Sequence, residues 1–155
     1  MTGCEFVERA VLDLFRRRGE QATRRPAGVF EVFEGPSGVR IARADVFDYT
    51  PEEGLFDAVF DRAALIAIAE GQRERYAAKL AALVRPGGKV LLVALEHDAG
   101  SGPPFDVDRA TVERLFAGAF TVEELASEDI LAESPNIAAK GATRVHERAY
   151  LLEKR

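Results

Sequence analysis

Apolar residues recur at helical spacing from Phe6 to Arg18. Val7, Ala10, Val11, Leu14 and Phe15 fall on one side, and Glu8, Arg9, Asp13 and Arg16 cover the other. Gly19 suits a stop, and the basic run Arg16-Arg17-Arg18 suits a helix C-terminus. The period then changes. Val29, Phe30, Val32 and Phe33 are strand formers, Gly35-Pro36-Ser37-Gly38 is turn material, and Val39 to Ala42 resumes an extended pattern. A β-hairpin is predicted there. Pro51-Glu52-Glu53-Gly54 reads as a loop or a single helical turn.

Phe56 to Phe60 is a short apolar run ending in Asp61-Arg62, as expected of a buried parallel strand. A helix is predicted over about 70–84, with Tyr76, Leu80 and Leu83 inside. Arg85-Pro86-Gly87-Gly88 reads as a tight turn before Lys89–Leu95, the most apolar strand and therefore expected inside the sheet. A polar loop over 96–104, a helix over 108–116, and two late strands over 121–125 and 143–152 complete the pattern. The stretch 127–140 has no clear period. Strands alternating with helices predict an α/β fold with a mainly parallel sheet and an antiparallel pair at its end.

Composition narrows the class. At 155 residues the chain is expected to form one domain. It is 47% hydrophobic and 30% charged, a balance for a packed core rather than disorder. A net charge of −5 argues against a nucleic-acid binder. No apolar run approaches membrane-span length and Met1–Glu5 is no signal pattern, so a cytoplasmic protein without membrane partners is expected. One cysteine and two distant histidines make a metal site improbable.

In α/β sheets ligands bind at the carboxyl ends of strands. That selects Glu5, Asp45, Asp61, Arg62, Glu96, His97 and Asp98. Glu5 suits the ribose hydroxyls of a nucleotide-like cofactor, or simply favours the start of the helix after it. Asp45 suits an adenine amine with Val46 and Phe47 as an apolar wall, or caps its own turn. Asp61 and Arg62 suit a ligand site, or a helix cap and a solvated cation. Cys4 reads as a small buried residue rather than a nucleophile, and His146 as a surface position. His97-Asp98 is a weak dyad, since adjacent residues rarely orient each other and no nucleophile elbow is present.

Arg85–Lys89 resembles the turn before the fifth strand of Rossmann-like S-adenosylmethionine-dependent methyltransferases. More specifically, FDAVFDRAALIAI (56–68), GPPF (102–105) with Val107 and VERLF (112–116), and YLLEKR (150–155) resemble bacterial thiopurine S-methyltransferases along essentially the whole chain. The resemblance implies S-adenosyl-L-methionine as cofactor and a small aromatic or heterocyclic thiol as methyl acceptor, with selenium or tellurium oxyanions as further acceptors. It implies that Glu5 binds the ribose and that Asp45, Val46 and Phe47 contact the adenine. Asp61 and Arg62 would lie beside the sulfonium and the acceptor, in catalytic roles. Pro103, Pro104 and Phe105 would cover the acceptor. An arginine that vertebrate relatives carry near Ser134 has no counterpart.

Family members also carry a first strand and a glycine-containing loop ahead of the point matched by Met1–Glu5. The resemblance therefore implies a Rossmann-like sheet lacking that strand and loop, in a single incomplete methyltransferase domain over 1–155. An open sheet edge then invites self-association, and weak cofactor binding with poor turnover is expected. The alternative function is a catalytically weak or inactive paralogue serving as a binding or self-associating domain.

Overall fold

The computed structural model describes residues 1–52, 54–100 and 102–155. Glu53 and Ser101, within the loops expected over 51–54 and 96–104, lie outside the described residues. Where the sequence predicts one domain, contacts divide the chain into two compact units, Met1–Glu52 and Glu53–Arg155.

The first unit runs β1 (Thr2–Glu5), α1 (Glu8–Arg17), β2 (Thr23–Ala27), β3 (Phe30–Glu34) and β4 (Arg40–Arg43). Its sheet has the order β1-β4-β3-β2, with β1 parallel to β4 and both other pairings antiparallel. The expected hairpin is β3–β4. Gly35 and Gly38 close its turn, with Gly38 in the left-handed region at φ 77°. α1 buries Val11 and Phe15 against Phe33, Val39 and Ile41, so the helical period found its sheet face. β2 is an edge strand of the sequence TRRPA, exposed at four of its five residues. It carries no alternation to read, and its Pro26 is tolerated because an edge leaves one side unpaired. Arg24 forks onto Glu31 at 2.8 and 2.7 Å, and Glu31 also accepts from Arg43, opposite it on β4, at 2.8 Å. Cys4 is exposed, contrary to the sequence reading, because β1 also lies at its sheet's edge.

The second unit runs β5 (Phe56–Arg62), α2 (Ala64–Ala67), a 3₁₀ turn (Glu70–Gln72), α3 (Arg73–Leu83), β6 (Val84–His97), α4 (Arg109–Phe116), β7 (Phe120–Asp129), α5 (Pro135–Ala138) and β8 (Val145–Lys154). The order is β5-β6-β8-β7, with β5 parallel to β6 and the β6–β8 and β8–β7 pairs antiparallel. β6 is interior, as its composition predicts. The late strands pair antiparallel as expected. The sheets are mixed rather than mainly parallel: two pairings are parallel and four antiparallel. One core layer is fully buried, with Val90, Leu92 and Ala94 of β6, Tyr150 and Leu152 of β8, and Val112 and Phe116 of α4. Phe116 and Phe120 meet edge to face, with centroids 6.0 Å apart.

Arg85–Gly88 is not a free-standing turn. It is an irregular stretch inside β6: Phe56 pairs with Val84 but Ala58 with Lys89, so the extra residues bulge out while pairing continues on both sides. Gly87 takes φ 72° there. A Cβ on Gly88 would lie 2.7 Å from Val84 Cγ1, 2.9 Å from the Arg85 carbonyl and 3.0 Å from the Asp57 carbonyl. Gly88→Ala should therefore cost about 1–3 kcal/mol, the range for overpacking. Gly71→Ala, where a Cβ meets nothing within 4 Å, should be near neutral. Urea denaturation of both variants checks the contrast.

Candidate active site

In the first unit the parallel β1–β4 pairing brings Glu5 and Asp45 out at the same end of neighbouring strands. The register sets Glu5 opposite Arg43, and Ala44 N–H donates to the Glu5 carbonyl at 3.1 Å. Each carboxylate anchors its own turn with one oxygen. Glu5 Oε1 accepts from Val7 N–H at 2.8 Å, and Asp45 Oδ1 accepts from Phe47 N–H at 2.9 Å. The Asp45 carbonyl takes the Asp48 and Tyr49 N–H groups, which winds Val46 and Phe47 into a turn and leaves both half-buried. The helix-start and turn-cap readings of the two acids are thus both realised. Each acid's second oxygen has no partner among the described residues. Beside them lies a cleft of about 510 Å³ lined by Phe6, Val29, Phe30, Arg43, Ala44 and Asp45 among others.

This pair of acceptors fits the adenosine half of S-adenosylmethionine. Ribose hydroxyls and an exocyclic amine present N–H and O–H groups, and ionised carboxylates are acceptors only. Phe6, 71% exposed, offers an aromatic face beside the cleft.

The second unit holds the remaining predicted residues. Asp61 is 3% exposed. Its Oδ1 accepts from Ala64 N–H at 3.0 Å and Leu65 N–H at 3.4 Å, and its Oδ2 accepts from the Tyr76 hydroxyl at 2.7 Å. Burial pushes the carboxyl up from the ordinary aspartate range, against the pull of those donors. Between Asp61 and α2, Ala63 sits at φ 126°, a conformation that costs an alanine about 1–3 kcal/mol. Arg62 points to solvent instead, with 66% of its side chain exposed and its guanidinium 3.5 Å from Glu147.

The Gly102–Phe105 loop is held from three directions. Phe105 N–H donates to the Ile66 carbonyl at 2.7 Å, tying it to α2. Lys140 Nζ donates to the Pro103 carbonyl at 2.7 Å, tying it to the end of α5. His97 Nε2 lies 3.2 Å from the Pro104 carbonyl, and His97 N–H donates to Asp106 Oδ1 at 2.9 Å, tying it to β6. A Cβ on Gly102 would run into the Phe105 ring, so glycine is required for the closure. A carbonyl partner puts the His97 proton on Nε2 and leaves Nδ1 a buried acceptor without a partner. His97 and Asp98 form no dyad. Asp98 turns to Thr143, accepting from its hydroxyl at 2.6 Å and its N–H at 2.8 Å, and from Arg144 N–H at 3.1 Å. Those donors, the Thr143 hydroxyl first, hold the Asp98 carboxyl down at about 2. His146, expected at the surface, is half-buried with its Nδ1 buried and unpartnered. Tyr76 is expected inside, but its bond to Asp61, like the roles of Lys140 and of Arg73, which bears on Phe105, carries no signal in the sequence, because the partners are distant along the chain or are backbone carbonyls.

Solved structures resembling this architecture include methyltransferases. The Burkholderia thailandensis 1,6-didemethyltoxoflavin-N1-methyltransferase, solved with S-adenosylhomocysteine, superposes with a TM-score of 0.60 at 20% identity over 99% of this chain and 60% of that one. The N-methyltransferase NodS of Bradyrhizobium japonicum gives 0.61 at 15% identity, over 99% and 65%. The chain thus spans less than two thirds of either, and the fold is the α/β fold of S-adenosylmethionine-dependent methyltransferases. The model of the thiopurine S-methyltransferase (TPMT) family matches residues 1–155. The thiopurine S-methyltransferase of Pseudomonas syringae pv. syringae is 37% identical over 157 residues, 99% of this chain and 71% of the relative. That of Methylococcus capsulatus is 37% identical over 153 residues, 97% and 69%. The chain belongs to the thiopurine S-methyltransferase family, whose cofactor is S-adenosylmethionine. No helix among the described residues is long and apolar enough to cross a membrane.

Tyr76→Phe removes one of the three donors to a buried carboxylate. It should destabilise the fold by about 1–3 kcal/mol. The sign with pH follows from the raised carboxyl. The folded form takes up its proton before the unfolded one, so the cost of burying Asp61 is absent in acid and appears as pH rises through the folded value. The Tyr76→Phe penalty should accordingly be larger at pH 7 than at pH 4, measured by urea melts at each pH. An equal penalty at both would mean the hydroxyl does not serve the ionised form.

Proposed function

We propose that the chain is an S-methyltransferase that moves the methyl group of S-adenosylmethionine to the sulfur of a small aromatic or heterocyclic thiol. The observation that carries this reading is the GPPF loop, clamped to α2, to Lys140 just past α5 and to the end of β6 beside the Asp61–Leu65 turn.

The cofactor, when bound, supplies a methyl group already activated on a sulfonium, so the protein's share is proximity, alignment and exclusion of water. Glu5 offers its free oxygen to the ribose hydroxyls, and Asp45 offers its own to the adenine amine. Val46 and Phe47 form the apolar wall. Asp61 acts as a positioning residue: its oxygens are committed to Ala64, Leu65 and Tyr76, and through them it fixes the turn that carries Arg62. Arg62, exposed and only loosely paired with Glu147, is free to swing toward an anionic thiolate. Pro103, Pro104 and Phe105 cover the acceptor. A heterocyclic thiol ionises readily, so the reaction needs no strong base.

Glu5→Gln and Asp45→Asn should each weaken cofactor binding about 10-fold or more, the value of one charge-assisted hydrogen bond. Arg62→Ala should leave that binding intact and lower kcat/KM for the thiol. Titration calorimetry with S-adenosylhomocysteine and a methyl-transfer assay with a heterocyclic thiol test both. Transfer to an amine or phenol in preference to the thiol would overturn the assignment.

A further inference from the structure

β6 is apolar on both of its faces. Val90, Leu92 and Ala94 are buried in the core layer shared with α4, and the alternate residues Leu91 and Val93 line the other side of the sheet. Register sets Phe60, Leu91 and Leu151 side by side there, with Val93 and Ala149 in the next row and Lys89 and Glu153 in the row before. A sheet face left to water is ordinarily polar. Ile137 and Ala142 pack on Val145 and Leu95 at one end of this face, but further along Phe60 is 64% exposed and Leu91 39%. Ion pairs bound the apolar strip, Lys89 to Glu153 at 3.8 Å on one side and Arg62 to Glu147 at 3.5 Å on the other. An apolar centre inside a charged rim is the anatomy of a protein interface. The sheet's edges are less suited to contact. β5 bulges between Phe56 and Ala58, β7 bulges between Glu124 and Ala126, and β7 carries Glu123, Glu124, Glu128 and Asp129, all features that blunt an edge.

We infer that this face is where two copies of the chain meet, packed sheet on sheet about a two-fold axis that runs along the strands between β6 and β8. The occupant follows from charge. Lys89 and Glu153 stand in one row, on the strands at either side of that axis. The two-fold brings Lys89 onto the partner's Glu153 and Glu153 onto the partner's Lys89, so four charges of alternating sign close the rim. The same operation sets Leu91 on the partner's Leu151 and keeps the strands of the two sheets aligned, as packed sheets prefer. An axis running across the strands would seat Lys89 on the partner's Val93 instead, a buried charge without a counter-ion. The self-association expected of an open edge is thereby assigned to a face. It does not depend on the methyl-transfer reading, since no residue of the Asp45 cleft or the Gly102–Phe105 loop enters it.

The test uses the full chain in sedimentation equilibrium, where a dimer should form at about 10–100 µM protein. Lys89→Glu and Glu153→Lys each place like charges across the axis and should each weaken the dimer about 10-fold or more. Their side chains are 54% and 53% exposed, so the core is undisturbed, which circular dichroism checks. Mixing the two variants should restore dimers, because opposite charges then face each other between copies while within each copy the two residues share one sign. A chain that stays monomeric up to about 100 µM would overturn the inference. So would a dimer that neither variant weakens, which would place the contact at a strand edge or elsewhere. Weakened variants that mixing does not rescue would also overturn it, since loss of the pair within one copy would then explain the effect. An open series of larger species would do the same, because a two-fold contact closes at two.

Discussion

A buried carboxylate organises the second unit. β5 ends in Asp61-Arg62, and the Asp61 side chain lies in an apolar interior where an ionised group survives only if its oxygens are occupied. The chain meets that demand by turning back at once. Ala63 accepts a left-handed conformation so that the N–H groups of Ala64 and Leu65 reach Oδ1, and α3 is drawn in so that Tyr76 reaches Oδ2. With the turn fixed, the Ile66 carbonyl is presented to Phe105, and Arg73, one helical turn before Tyr76, is placed over the Phe105 ring. The loop read as the acceptor's cover is therefore set by contacts that begin at one aspartate.

The first unit solves a different problem with strand direction. Only its β1–β4 pairing is parallel, and only a parallel pairing brings two strand C-termini to the same side. That places Glu5, at the end of β1, and Asp45, just after β4, on neighbouring strand ends, with Asp45 lining the cleft. Each then spends one oxygen on its own turn and keeps one. The antiparallel strands β2 and β3 add the far wall of the cleft and the Arg24–Glu31–Arg43 ion pairs that stiffen it. Those pairs are solvent-exposed and worth little singly. As a linked set across three strands they fix the position of Arg43 on the cleft wall.

Period and apolarity made much of this legible in the sequence. α1, the β3–β4 hairpin, α4, and the interior place of β6 follow from the spacing of residues such as Val11, Phe15, Val32, Val90, Leu92 and Val112. Elements without a period stayed hidden. β2 is charged and exposed, while α2 and α5 are single turns of four residues each. Partly legible was the site. Strand ends pointed to Glu5, Asp45, Asp61 and Arg62, but not to the difference between an aspartate sunk beneath Tyr76 and an arginine left in water, because burial is set by helices far along the chain. Nor did the charge of Arg73 or Lys140 distinguish them from the solvated cations around them.

The way the second unit uses its titratable groups bears on what chemistry it can support. A reaction that needs a general base needs a lone pair that substrate can reach. Asp61 has no oxygen to spare, Asp98 is locked to Thr143 and Arg144 with its carboxyl held at about 2, and His97 has given its proton-bearing nitrogen to Pro104. The Nδ1 atoms of His97 and His146 are buried without a partner among the described residues. What bears on the loop is positive charge, in Arg73 over the Phe105 ring and Lys140 on the Pro103 carbonyl, alongside the apolar surface of Phe105 and the prolines. Such a surface cannot take a proton from an acceptor that holds it tightly. It can hold one that arrives as an anion, and it favours that anion by Coulomb attraction in a setting partly closed to water. Methyl transfer from a sulfonium to an already ionised sulfur, the reaction proposed above, asks for no proton acceptor, so it is the transfer that such a surface would serve with the least further equipment.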